Sequence, residues 1–277
     1  MYKQKIGISV GSNEPDGLIK LIKNIGFEAI SFSSGELNNV KRMVNTARSE
    51  GLIVEYLHAK FGEVHKMWWD SEKDSNESIG ILLNDLEICR ECSIDKMVVH
   101  VWIGFGYTFG ETKYGLENYA KIVNKAKEYG IKICFENTEG QEYLYALMDY
   151  FKDDDTVGFC WDSGHEMCYN YSEDLLKDFG DRLLVTHLND NLGISRFDGV
   201  TYWTDDLHLL PYDGVADWDY NVERLKKSRK LEILNFELGK NSKPNRHEND
   251  QYAKMSDEEY FTEAYKRACK IAYKYSK

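Results

Sequence analysis

The sequence predicts a single-domain α/β protein, a (β/α)₈ TIM barrel spanning residues 1–277. Three observations lead there. Eight short apolar runs alternate with segments of helical character, and each run is nearly continuous rather than alternately polar and apolar, as in parallel strands covered by helices. No linker, low-complexity stretch or fixed-period repeat breaks the pattern, and only three prolines occur. From the third strand to the eighth, each run ends at or near a histidine or a carboxylate: His58, His100, Glu136, Asp162, His187 and Glu237. A closed barrel turns all those ends to one face, whereas an open doubly wound sheet, the alternative, has no single mouth for six successive strands.

Residues 6–10 are the first strand, and the helix through Leu18, Ile19, Ile22 and Ile25 stops at Gly26, a residue that tolerates a left-handed helix end. The second strand is 29–32. A helix over about 36–50 ends at Gly51, and the third strand, 52–58, delivers His58. A long connection, 59–74, carries His65, Trp68 and Trp69 and is expected either to cover a pocket or to plug one end of the core. Cys89 and Cys92 then fall within a helical stretch with no second pair near them and read as ordinary helix residues.

The fourth strand, 96–101, runs into Trp102 and a loop whose glycines, Gly104, Gly106 and Gly110, lack the spacing of a dinucleotide-binding turn. That loop reads as an aromatic pocket rim or a plain surface loop. A helix over 117–129 stops at Gly130, and the fifth strand, 131–136, ends on Glu136. After a helix over 143–151, the sixth strand, 157–162, ends in Asp162, where a Ser163-Gly164 turn is expected to bring Asp162 and His165 into a common space. A helix around 175–179 precedes the seventh strand, 183–188. A second excursion, 189–218, carries Arg196, Asp206, His208, Pro211 and Gly214 before the last helix–strand–helix, with the eighth strand at 231–238 and the closing helix at 259–275.

The formal net charge of −12 favours solubility and works against a duplex-binding surface, because nucleic-acid affinity is largely counterion release by Lys and Arg. The first apolar run, about six residues, is too short for a signal-peptide core or a membrane span, so a cytoplasmic protein without membrane attachment is expected. Six scattered cysteines point to reduced thiols. The oligomeric state is open, a homo-oligomer included.

One buried histidine or acid is ordinarily a satisfied core residue, but six in consecutive strands need a common cause. Taking carboxylates out of water costs several kcal/mol per group unless they are paired or metal-bound. Mixed oxygen and imidazole donors suit a divalent metal such as Mn, Co, Mg or Zn.

Phe135-Glu136-Asn137, Trp161-Asp162-Ser163-Gly164-His165, Thr186-His187-Leu188-Asn189-Asp190, Asp206-Leu207-His208, Gly214-Val215-Ala216-Asp217-Trp218 and Phe236-Glu237 together resemble the xylose-isomerase-like barrels. That group includes sugar isomerases and epimerases, inosose dehydratases and type IV apurinic endonucleases. The resemblance implies Glu136, Asp162, His187 and Glu237 as metal ligands, the two glutamates doubling as acid and base. It also implies His165 as a substrate contact, and Glu142 where epimerases keep a second substrate-contacting glutamate. His58, His100, Trp102 and Arg196 are further candidate substrate contacts. The usual Pro-Gly-x-Gly turn reads Pro211-Tyr212-Asp213-Gly214 here.

The implied activity is isomerisation or epimerisation of a small sugar, sugar phosphate or polyol, by proton abstraction next to a carbonyl through a metal-stabilised enediolate; an inosose-type dehydration is the variant that loses hydroxide. The nuclease alternative implies a trinuclear zinc site, with His58, His100, His165, Asp206 and His208 as additional metal ligands. The acidic charge and the lack of a clear Arg/Lys-rich loop favour sugars.

Overall fold

The computed structural model describes residues 3–104, 107, 109–194 and 203–277. Eight parallel strands, β1 (Lys5–Val10), β2 (Ala29–Ser33), β3 (Ile53–His58), β4 (Lys96–His100), β5 (Lys132–Glu136), β6 (Val157–Asp162), β7 (Leu183–His187) and β8 (Ile233–Phe236), pair in sequence order, and β1 also pairs with β8. The β7–β8 seam is joined by one bridge, Leu188 to Phe236, and by Thr186, whose hydroxyl donates to Asn235 O and accepts from Asn235 N. The result is a nearly closed (β/α)₈ barrel, as the sequence predicts.

The helices on its outside are α1 (Asp16–Ile25), α2 (Leu37–Ser49), α3 (Glu72–Glu91), α4 (Thr112–Tyr129), α5 (Gln141–Tyr150), α6 (Ser163–Cys168), α7 (Leu175–Phe179), α8 (Trp218–Lys227), α9 (Asp250–Ala253) and α10 (Asp257–Tyr275). Two begin well before the apolar periodicity does. The hydroxyl of Ser71 caps α3 by accepting from Asp74 N, and α4 starts at Thr112 over the buried ring of Trp68. No helix among the described residues is long and apolar enough to cross a membrane.

Most of the core lies between the strands and the helices, while Tyr56, Val98, Cys134, Cys160 and Val185 form a separate buried layer, one residue from each of β3 to β7. Strand side chains alternate faces, so the residue two further along returns to the same side. Two residues beyond that layer stand His58, His100, Glu136, Asp162 and His187. One packed layer thereby aims five polar side chains at the C-terminal mouth. Between Ile30 and Phe32 the partner on β3 advances from Val54 to Leu57, a bulge beside which both Glu55 and Tyr56 are buried.

The 59–74 connection meets both expectations. Trp68 is fully buried, donates from Nε1 to Val101 O at 2.8 Å and stacks on Tyr143 at 3.8 Å, so it plugs the core. A Cβ at Gly115 would come within 1.9 Å of its ring, which is why a glycine stands there. Phe61, from the same connection, stacks on His100 at 4.4 Å and faces the mouth.

Candidate active site

Glu136 is the hub. Fully buried at the end of β5, it meets four imidazoles: Oε1 lies 3.0 Å from His187 Nδ1 and 3.2 Å from His165 Nδ1, and Oε2 lies 3.1 Å from His58 Nε2 and 3.3 Å from His100 Nε2. His187 Nδ1 is also 2.9 Å from Glu237 Oε2 and 3.9 Å from Asp162 Oδ2. Beside this group His208 Nε2 lies 2.9 Å and His165 Nε2 3.4 Å from Asp206 Oδ1.

Asp162 does not end in the turn expected from Ser163-Gly164. Its carboxylate caps α6, accepting from His165 N at 2.7 Å, so the first helical turn carries the imidazole over the mouth. Both Asp162 oxygens also accept from Asn189 Nδ2, at 3.1 and 2.9 Å. Asn137 grips the same strand end, accepting from Asp162 N and donating to Asp162 O. Asn189 thus takes up lone pairs of the buried carboxylate, while Asn137 fixes the backbone that carries it. Their role was missed in the sequence, although both asparagines lie inside the motifs that carried the resemblance.

Charge and burial compete here. Burial works against ionised Glu136, yet the imidazoles of His187 and His100 hold its carboxyl well below the ordinary range; His187 lowers Glu237 in the same way. Burial would depress His165, but Asp162 and Asp206 raise it well above its ordinary value, and Asp206 raises His208 to about 9 against the same opposition. Burial raises Asp162. The site thus gathers carboxylates and imidazoles whose charges need one another.

A divalent cation fits this donor set. Ligand atoms of Glu136, Asp162, His187 and Glu237 all lie within 4.8 Å of one another, as do those of His58, His100 and Glu136, and those of His165, Asp206 and His208. His187 Nδ1 faces three carboxylates, more than one N–H can satisfy.

The mouth opens into a cavity of about 310 Å³ whose wall includes Phe61, Ile103, Tyr169, Glu237, Glu139 and Lys243. The last two were not foreseen. Glu139 is buried, its Oε1 accepts from Gly104 N at 2.8 Å and burial raises its carboxyl. Glu142 is not brought to the cavity: it is exposed on the first turn of α5, which Gly140 starts from a left-handed conformation, so the carboxylate at the wall is Glu139 instead. Trp102 is not at the wall either. It is buried behind it, donating to Gly104 O and stacking on Phe109 at 4.7 Å, and the half-buried Ile103 lines the cavity in its place. Arg196 lies outside the described residues.

At the Pro211-Tyr212-Asp213-Gly214 departure the backbone keeps the turn. Tyr212 adopts a φ of 75°, a conformation that glycine takes without strain. Asp190 fastens the loop: Oδ2 accepts from Tyr212 N and Trp218 Nε1, and Oδ1 from Ala216 N.

Residues 19–270 match the family model described as "Xylose isomerase-like TIM barrel". The chain belongs to the xylose-isomerase-like TIM-barrel family. Among solved structures, the IOLI protein with a binding zinc atom superposes with a TM-score of 0.75 at 19% identity, covering 97% of this chain and 98% of that one. D-psicose 3-epimerase from Clostridium cellulolyticum H10, solved with D-tagatose, gives 0.73 at 12% identity, covering 99% and 100%. An L-ribulose 3-epimerase gives 0.73 at 13%, covering 98% and 94%. A curated relative, the uncharacterised protein y4fM of Sinorhizobium fredii (strain NBRC 101917 / NGR234), is 38% identical over 73 residues, so the match spans only 24% of each chain.

Proposed function

We propose that this family member is a divalent-metal-dependent isomerase or epimerase of a small sugar or polyol. One observation carries the reading: two glutamates, Glu136 and Glu237, converge on the same His187 nitrogen, and Glu237 lines a cavity of about 310 Å³. That volume suits a small molecule.

Glu136, Asp162, His187 and Glu237 would hold the cation. When bound, it supplies Lewis-acid polarisation of a carbonyl and positive charge for the oxygen that becomes negative on proton loss. The protein's own part is to bind, orient and move protons. Glu237 lines the cavity and has the open approach to a substrate C–H, while Glu136 sits beneath, fully buried, as its counterpart. Return of the proton to the opposite face gives an epimer; return to the neighbouring carbon gives an isomer. His165, raised well above its ordinary value, is suited to donating a hydrogen bond to a substrate oxygen. The structural neighbours named for sugar epimerases support the substrate class.

A second reading, a phosphodiester-cleaving enzyme with three metals, is favoured by the three neighbouring ligand groups, two of which share Glu136. The net charge of −12 weighs against it. The experiment is a pair of assays on metal-supplemented protein: deuterium incorporation into D-fructose, D-tagatose, L-ribulose and an inosose, and nicking of a duplex containing an abasic site. Exchange in a sugar or inosose without nicking is expected. Nicking with no exchange would reverse the assignment.

A further inference from the structure

Outside the central ligands, the wall of the cavity carries a cation that the proposed chemistry does not use. Lys243 Nζ lies 3.5 Å from Asp206 Oδ2 and 5.7 Å from the centre of the Trp203 ring. Its loop is pinned. Arg246 bridges Asp205 at 3.0 Å and Glu248 at 2.8 Å, Ser242 Oγ accepts from Asn249 N, and Gly239 N donates to His208 O. The ammonium is therefore delivered to Asp206 by a built segment.

Asp206 is the single carboxylate of the group His165, Asp206, His208, whereas Glu136, Asp162 and Glu237 supply three to the central group. Imidazoles ligate a metal only once they have lost their extra proton, and in that neutral form the central group carries −3. The Asp206 group carries −1, and Lys243 brings it to 0. Both groups bring at least three candidate ligand atoms within 4.8 Å of one another, so charge is what distinguishes them as hosts for a divalent cation. Lys243 is partly exposed at the cavity wall, and like charges about 4 Å apart near a protein surface still repel, although water in the cavity screens part of the interaction.

We propose that Lys243 is a fixed cation standing in for a metal ion: it neutralises Asp206 and keeps the His165–Asp206–His208 group free of metal while the central group is filled. The inference rests on the metal-dependent reading above and deepens it. It limits the chain to fewer metals than its ligand residues could hold, and it leaves an ammonium and two imidazoles facing substrate oxygens.

The test is zinc content by elemental analysis after zinc loading and gel filtration, with a competition titration against a chromophoric chelator. Lys243→Met and Lys243→Gln should each hold one zinc per chain more than wild type, and adding Asp206→Asn to either should remove the extra ion. Lys243→Arg should match wild type. Circular dichroism checks that each variant is folded, and the two neutral variants guard against failure of one. Unchanged zinc content in both folded neutral variants, or three zincs in wild type, would overturn the proposal. A wild type that binds no metal would overturn the functional reading itself, and this inference with it.

Discussion

Glu237 Oε2 and Glu136 Oε1 lie 2.9 and 3.0 Å from the same atom, Nδ1 of His187. One N–H cannot serve two carboxylates at full strength, and a cation between them can. His187→Ala and Glu136→Gln should therefore each weaken metal binding by more than the roughly 10–100-fold typical of changes one shell further out. Elemental analysis and chelator competition measure this, and wild-type affinity in both variants would contradict the ligand assignment.

Shortening either glutamate separates ligation from proton transfer. Glu136→Asp and Glu237→Asp keep the charge but draw the carboxylate back by one methylene, roughly 1.5 Å. Both variants should keep most of their metal and lose turnover by about 10²–10⁴, the usual worth of acid–base assistance. Steady-state rates beside metal content decide it, and near-normal turnover in one variant removes that residue as a proton carrier.

The rim loop depends on Gly214. A Cβ there would fall 2.2 Å from Asp190 Oδ1 and 2.3 Å from Asn191 O, and Asp190 is the carboxylate that fastens the loop. Gly214→Ala should lower stability by about 1–3 kcal/mol, the usual cost of overpacking. A thermal melt with unchanged Tm would show that the fastening is unimportant.

Glu55 gives a pH signature remote from the mouth. Inside the barrel, burial raises its carboxyl above the ordinary 4.5, even though Asn235 Nδ2 donates to it at 3.0 Å. A carboxyl raised on folding binds more protons folded than unfolded, so stability falls as pH rises above 4.5 through the raised value. Glu55→Gln removes that dependence. Its Tm should gain on wild type as pH rises from about 4 to 8. A constant difference across that range would contradict the assignment.

Much of this was legible in the sequence because strand ends are fixed by where an apolar run stops. His58, His100, Glu136, Asp162, His187 and Glu237 follow from that rule, and the structure brings all six to one mouth. Loop residues follow no such period. Glu139 and Glu142 sit three residues apart after β5, on either side of the left-handed Gly140 that starts α5, with Glu139 at the wall and Glu142 on the exposed first turn. Lys243 reaches the cavity through a loop held by Arg246 and Asn249, contacts with no local sequence signature. Tyr212 was visible as a departure from the family turn, but not the fact that its backbone keeps the glycine-like conformation.

The measurement that bears most directly on the proposed chemistry is solvent exchange in deuterium oxide, followed by proton NMR on the ketose and inosose panel with one protein in three states. As purified, the protein should catalyse loss of the proton next to the carbonyl in at least one substrate. Stripped with a chelator it should lose this activity, and addition of Mn, Co, Mg or Zn should restore it, while Glu237→Gln stays inactive in all three states. Undiminished exchange in verified metal-free protein, or full exchange by Glu237→Gln, would contradict the account.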